Sequence, residues 1–333
     1  MAGNFVAGDV HVQAALTNLS VAFSQGAEAF KSGRVFPTVA VSKQSDKYHV
    51  INRNDWLRAD AQQRAPGAES AGGGYGISQN PYYADRYAIH LDIDDPTRAN
   101  TDPALSNLDA DATNYVTEQI LLKQEKLFVT DFMGSTGAVW DGASSSTDMT
   151  GAAAPSSTTS SFLKWSDIAS TPIEDLRGEK NSIAKNTGKM ANVLAQGPTV
   201  QAALADHPDI LDRIKYTERG IVTDGLLASL FGLSDVVTFF ATNDTAVEAA
   251  AESMSFLTGT EALLCHSPQS AGLRTASAGY RFVWTGLAGM PAQGARIKKF
   301  RLEHVESDRI EGEVYFDDVA VESKLGAFFI TAA

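Results

Sequence analysis

The chain has 333 residues, with 40 acidic against 27 basic side chains and a formal net charge of −13. That balance argues against gripping nucleic acid through a basic groove, which needs clustered Lys and Arg; a surface that merely faces nucleic acid stays open. Cys265 is the single cysteine, so no intrachain disulfide and no Cys-rich zinc site can form, and no apolar run approaches the ~18 residues of a membrane span.

The hydrophobic fraction of 44% allows a sizeable core, in one large domain or two ordinary ones. The N-terminus has no positive segment followed by an apolar one, so no secretory signal is expected. Residues 1–44 read as a leading arm. Val10–Phe30 carries scattered apolar residues interrupted by Gly26, and both a short helix and an extended arm fit. Phe36 precedes Pro37 and is therefore pushed towards an extended backbone. Thr38–Val41 continues as a strand.

Residues 45–95 read as a long β-arm. Two polar, aromatic-studded strands, Lys47–Leu57 and Tyr82–Asp94, flank a breaker-rich stretch with Arg64–Ser70 and Gly72, Gly73 and Gly74. The second strand alternates: Tyr87, Ile89, Leu91 and Ile93 point one way, and Arg86, Ala88, His90, Asp92 and Asp94 the other. A two-stranded ribbon is marginal alone in water. The arm must find an apolar partner on its own body or on a neighbouring copy. Trp56, between Asp55 and Arg58, has the character of an interface anchor, although packing on its own protomer explains it equally well.

A helix is predicted over 109–133, with Asp109 or Asp111 as N-cap and Gly134 as the stop. Its apolar positions recur at three and four, and its length of about 37 Å suits a spine. Residues 134–162 are Gly, Ala, Ser and Thr with few large apolar side chains, and read as a solvated surface loop. Thr171 opens a capping box ahead of a helix from Pro172 to Gly188. Met190–Gln196 reads as a buried strand. Helices follow from Pro198, over Asp209–Tyr216 and across 221–232. Val236–Ala241, Glu261–Cys265, Tyr280–Trp284, Ala295–Val305, Arg309–Val321 and Leu325–Thr331 read as strands. Helices and strands mix without βαβ regularity, so the fold class is α+β.

Candidate chemistry is thin. His90, Asp92 and Asp94 share one strand face and define a metal-site alternative, which the solvated face of an alternating strand already explains. The glycine run lacks the strand, helix and Lys-Ser/Thr ending of a phosphate loop. Cys265 and His266 are adjacent on a strand and point apart, as do Asp317 and Asp318, so neither forms a catalytic pair. Cys265 is expected to be buried and inert. No catalytic residue, cofactor or metal is assigned.

Four phrases in order carry a resemblance. They are FKSGRVFPTVAVSKQSDKYHVINRNDWLR (Phe30–Arg58), RAPGAES (Arg64–Ser70), DPALSNLDADATNYVTEQILLKQEKLF (Asp102–Phe128) and HPDILDRIKYTERG (His207–Gly220). With the order of elements, they make the chain resemble the major capsid proteins of tailed bacteriophages, over nearly its whole length. The resemblance implies an N-terminal arm, an extended β-hairpin loop at 45–95 lying across a neighbouring subunit, and a peripheral domain over 96–189 with spine helix 109–133. It also implies an axial domain over 190–300 and C-terminal strands, 301–333, returning to the peripheral domain. Tyr48, Trp56, Arg58, Arg64, Tyr75 and Tyr87 are the residues expected to contact a neighbour.

The resemblance further implies self-assembly into hexamers and pentamers, and an icosahedral head that encloses double-stranded DNA without sequence-specific binding. The implied partners are a separate scaffolding protein, a portal protein and a decoration protein, with assembly in the host cytoplasm and a final place in the virion. Lys47 lies at the base of the loop, so the lysine cross-linking of some relatives is not carried over. Two alternatives stand beside this reading: an encapsulin-like nanocompartment shell, and a metal-dependent enzyme built on the His90 face.

Overall fold

The structure is a computed structural model, and it describes residues 25–101, 107–134, 139–143, 148–153, 161–215, 222–247, 250–272, 275–291 and 295–333. In chain order the first half holds α1 (Ser32–Val35), β1 (Thr38–Val41), β2 (Ser45–Ile51), α2 (Arg53–Trp56), β3 (Ile77–Tyr83), β4 (Asp85–Asp94), α3 (Asp95–Asn100), α4 (Leu108–Phe132), β5 (Met149–Ala152), β6 (Ser161–Leu163) and α5 (Pro172–Thr187). The second half holds β7 (Val193–Gln196), α6 (Pro198–Asp206), α7 (Pro208–Ile214), α8 (Asp224–Phe231), β8 (Asp235–Thr238), β9 (Thr242–Asp244), β10 (Met254–Phe256), β11 (Ala262–Cys265), β12 (Gly279–Trp284), β13 (Arg296–Leu302), β14 (Ser307–Ala320) and β15 (Gly326–Ile330).

A five-stranded sheet is organised by the long strand β14. One edge of β14 pairs with β4 over its first ten residues; the other takes β13 and then β12, which in turn pairs with β1 in parallel. Helix α4 lies on this sheet. Val116 and Ile120 from the helix meet Val314, Phe316 and Val283 in one apolar cluster, with Tyr87, Ile89 and Leu91 from β4 around it. The alternation read in the sequence is therefore real: one face of β4 is covered and the other carries the charges. Gly312 is required at this crossing, because a Cβ there would fall 2.3 Å from the Val116 side chain.

The C-terminal half of α4 leaves that sheet and enters a second, larger core. Phe128 and Phe132 pack edge-on against Phe36 at 5.0 and 4.9 Å, and Phe128 stacks on Phe239 at 5.8 Å. This core is built on a six-stranded mixed sheet of order β6-β5-β15-β11-β7-β8, with α5 to α8 beside it. One helix of 25 residues thus serves two cores.

A buried polar network joins the N-terminal segment to this frame. Glu125 of α4 is fully buried and accepts from the backbone amides of Lys31 and Ser32 at 2.9 and 3.0 Å. Arg281 of β12 grips both oxygens of Asp318 on β14 at 2.7 Å and donates to the Ser32 hydroxyl at 3.1 Å. The two sides of this network face each other across α1.

Several expectations need correction. The arm's two strands are β2 and β3, paired from Ser45↔Tyr83 to Ile51↔Ile77. The stretch Tyr82–Asp94 breaks at Ala84, and β4 belongs to the body. Alternation reveals that a face is covered but not by what, and β4 pairs with β14 rather than with the arm's first strand. Expected Asp109 or Asp111 is not the cap of α4; Asn107 is, its side chain accepting from Ala110. Gly134 does follow the helix as its stop, directly after the C-cap Met133; its backbone is not left-handed, and a Cβ there would sit 2.4 Å from the Thr130 carbonyl oxygen. Thr171 caps α5 without a side-chain hydrogen bond, while Gly188 does take the left-handed cap, at φ 71°. Strand pairing crosses residue 300 in both sheets. β12 pairs with β14, and β15 pairs with β11 in the other sheet. Most of the expected leading arm lies outside the described residues.

The stretch 134–162 is not simply a solvated loop. Among its described residues, Trp140, Ala143, Met149 and Phe162 are core, and β5 and β6 extend the six-stranded sheet. Small residues here allow close packing; Trp140 donates from its indole nitrogen to the Phe132 carbonyl at 3.0 Å. Phe162 sits between Trp165 and Phe329, at 5.6 and 5.5 Å. Phe162→Ala is therefore expected to cost about 3–5 kcal/mol in a urea titration. A loss under about 1 kcal/mol would return this stretch to the status of a dispensable loop.

Candidate functional site

Among the described residues the hairpin β2–β3 with its connection is the part least owned by either core. Its root is firmly held. Tyr48 and Tyr82 lie diagonally on one ribbon face and both stack on Phe282 of β12, at 5.5 and 4.6 Å. Burial pushes both phenols up from their ordinary value. Ala84, fully buried at the junction with β4, donates to the Gln44 carbonyl at 2.9 Å, and the Gln44 side chain returns the bond to Ala84. Tyr83 donates its backbone N–H to Asp317 at 2.9 Å.

The outer end is different. Asn52 donates to the Gly76 carbonyl at 3.0 Å, and Gly76 donates to the Asp55 carboxylate at 3.0 Å, closing the ribbon beyond the Ile51–Ile77 pair. Past that closure every residue from Trp56 to Tyr75 is exposed. Trp56 meets Tyr75 edge-on at 5.2 Å, yet the two remain 56% and 46% exposed. Leu57 and Ile77 are exposed beside them. Four large apolar side chains thus stand exposed at one end of a two-stranded ribbon, which makes this end a candidate contact surface. Arg53 ties this end to its own body through Glu322 at 3.2 Å.

The six expected contact residues divide. Trp56, Arg58, Arg64 and Tyr75 are exposed at the outer end. Arg58 lies 3.9 Å from Asp55 and 4.0 Å from Asp60, exposed pairs of little energy. Arg64 donates to the Ala68 carbonyl across the turn at Gly67, which is left-handed at φ 82°. Tyr48 is committed to Phe282. Tyr87 is committed to Phe316 at 5.0 Å, with the Lys123 ammonium over its ring. Leu57 and Ile77 escaped sequence reasoning because Leu57 closed the expected strand Lys47–Leu57 and Ile77 fell in the breaker-rich stretch, and nothing in their neighbours marks them as exposed.

The remaining chemistry recedes. Asp92 of the His90 face is clamped by Arg309 through two hydrogen bonds of 2.7 Å, and this clamp holds its carboxyl below the ordinary value. No cluster of three metal-type ligands occurs among the described residues. The Cys265 thiol is fully buried and pushed up to about 12, which removes it as a nucleophile. Asp317 and Asp318 lie within β14 rather than at a turn, and face opposite ways, one towards Tyr83 and one towards Arg281. No helix among the described residues is long and apolar enough to cross a membrane.

Comparison with known proteins agrees with this architecture. No family model matches the chain. It is 22% identical over 225 residues to the major capsid protein of Burkholderia phage BcepMu, covering 68% of this chain and 67% of that protein. Its fold is similar to that of a phage-related protein from Bordetella bronchiseptica, with a TM-score of 0.64, 16% identity, and 91% and 92% of the two chains covered. It is also similar to a chain of the bacteriophage PhiM1 mature capsid, with a TM-score of 0.59, 11% identity, and 97% and 92% covered. The α+β fold expected from the sequence is thus the fold of phage capsid proteins, and two of the named relatives carry capsid names.

Proposed function

We infer that this chain is the major capsid protein of a tailed bacteriophage, and that it acts by assembling with copies of itself. The observation that carries the reading is the outer end of the hairpin, where Trp56, Leu57, Tyr75 and Ile77 stand exposed on a ribbon that neither core covers. A neighbouring copy supplies the missing apolar partner. Repeated around closed symmetry, that contact gives hexamers, pentamers and an icosahedral shell. The shell encloses double-stranded DNA, and the net charge of −13 suits a wall that holds a genome without gripping it. Scaffolding, portal and decoration proteins are the partners this role calls for, with assembly in the host cytoplasm and the virion as destination.

Negative-stain electron microscopy with mass by light scattering tests the reading on the purified chain, alone and co-expressed with a scaffolding protein. Closed shells, or rings of five and six, are the expected result. A monodisperse monomer or dimer under both conditions would refute it.

A further inference from the structure

A cleft of about 280 Å3 opens between α1 and α4, with residues of β12 and β14 among its walls. Phe30, Leu121, Val283 and Val314 make it apolar. Three of the buried polar side chains that line it are already bonded. Glu125 accepts from the Lys31 and Ser32 amides, and Arg281 holds Asp318 and the Ser32 hydroxyl. Gln124 is the exception: it is 8% exposed, and its carboxamide bonds to nothing among the described residues. An unpaired buried amide is destabilising, so this one lacks a partner that the single chain does not supply. The hairpin shows the converse. Of the four tryptophans, three donate their indole N–H at 3.0 Å: Trp140 to the Phe132 carbonyl, Trp165 to the Asp175 carboxylate and Trp284 to the Ser42 carbonyl. The Trp56 indole touches the Tyr75 ring and donates to nothing among the described residues.

We propose that the cleft between α1 and α4 receives the Trp56 side chain of a second copy of this chain, with the indole N–H donating to the Gln124 carboxamide oxygen. This rests on the self-assembly reading above and names where the exposed end of the hairpin lands. The chemistry matches on both sides. An indole is a flat apolar body with a single donor and no acceptor. The cleft offers apolar walls, room for one large side chain, and a carboxamide oxygen that accepts. The chain's own Trp56 is held elsewhere. Arg53 ties that end of the hairpin to Glu322, beyond the end of β14, and Leu57 lies beside Gly188. Val314 in the cleft stands about 20 Å back along the strand from its end at Ala320. The indole that fills the cleft therefore comes from another copy.

The test measures the concentration at which the full-length chain forms particles with a scaffolding protein. Gln124→Met and Trp56→Phe are each expected to raise it about fivefold to tenfold. The double variant is expected to raise it no further, because both changes remove one hydrogen bond. Gly33 also lines the cleft, and a Cβ there meets nothing within 4 Å, so Gly33→Leu narrows the cleft without strain. That variant is expected to cost as much as loss of the whole anchor, roughly thirtyfold. Unassembled Gln124→Met is expected to melt no lower than the wild type, since an unpaired buried amide has gone; a lower melting temperature would show the amide to be bonded within its own chain. Contact is read directly by mixing Gly33→Cys and Leu57→Cys chains, assembling them and adding a short bismaleimide. Cross-linked dimers are expected from the mixture and from neither chain alone, with Cys265 silent because it is fully buried. The proposal is overturned by wild-type assembly of Gly33→Leu, by additive losses in the double variant, by the lower melting of Gln124→Met, by absence of the dimer, or by cross-links to the scaffolding protein in its place. Particles still form in all of these, so the capsid reading survives them. A wild-type chain that forms no particles removes both.

Discussion

Arg281→Met is expected to lower the unfolding free energy by about 3–5 kcal/mol, read from urea midpoints at neutral pH. Arg281 is 6% exposed, and its guanidinium is the only cation hydrogen-bonded to Asp318 among the described residues. Removing it leaves a carboxylate whose side chain is 4% exposed without a counter-charge, close to Asp131 and Asp317. It also strips the Ser32 hydroxyl of its donor and the Phe316 ring of a cation. Methionine fills most of the volume, so the loss reports charge rather than a cavity.

The double variant Arg281→Met, Asp318→Leu is expected to recover most of the stability, since an apolar pair of similar size avoids both desolvation penalties. The deficit of the single variant is also expected to depend on pH. Burial raises the Glu125 carboxyl, and the Arg281 charge opposes that rise. Without Arg281 the folded value climbs further. A raised carboxyl costs nothing below its unfolded value and its full penalty above its folded value, so the deficit is smaller in mild acid and larger at neutral pH. A single-variant loss under about 1 kcal/mol, flat with pH, would show that solvent reaches the pair and that the network is decorative.

What the sequence disclosed follows the range of the forces involved. Local signals were faithful. The stripe of α4, the helix end at Gly188 and the last three strands all came through, because periodicity and turn chemistry act within a few residues. Pairing did not come through. β4 alternates as any half-buried strand does, and only the fold says that its partner is β14, more than 200 residues away, rather than β2. Composition misled for the described residues of 134–162, since small residues serve a tightly packed sheet edge as readily as a solvated loop. At the candidate surface the sequence supplied the aromatic residues but not their allegiance. Tyr48, Trp56, Tyr75 and Tyr87 look alike in a polar segment; two pack on the body of the chain and two pack on each other at the exposed end.

That difference in allegiance makes Trp56→Ala the sharpest test of assembly. The variant is expected to keep the thermal stability of the unassembled chain within about 1 kcal/mol, because its edge-on contact with Tyr75 is the main packing at stake. Particle formation is expected to suffer far more. An aromatic anchor at an interface carries about 2 kcal/mol or more, which raises the concentration needed for assembly by roughly thirtyfold for each contact. Tyr75→Ala is expected to act in the same direction, since it strips the support that orients the indole. Tyr82→Ala provides the contrast: its ring is part of the protomer's own root, stacked 4.6 Å from Phe282, so fold and particles are expected to fail together. If Trp56→Ala instead lowers melting and particle yield in step, as Tyr82→Ala does, then the indole is held by its own chain and the outer end of the hairpin is not the surface by which one copy grips the next.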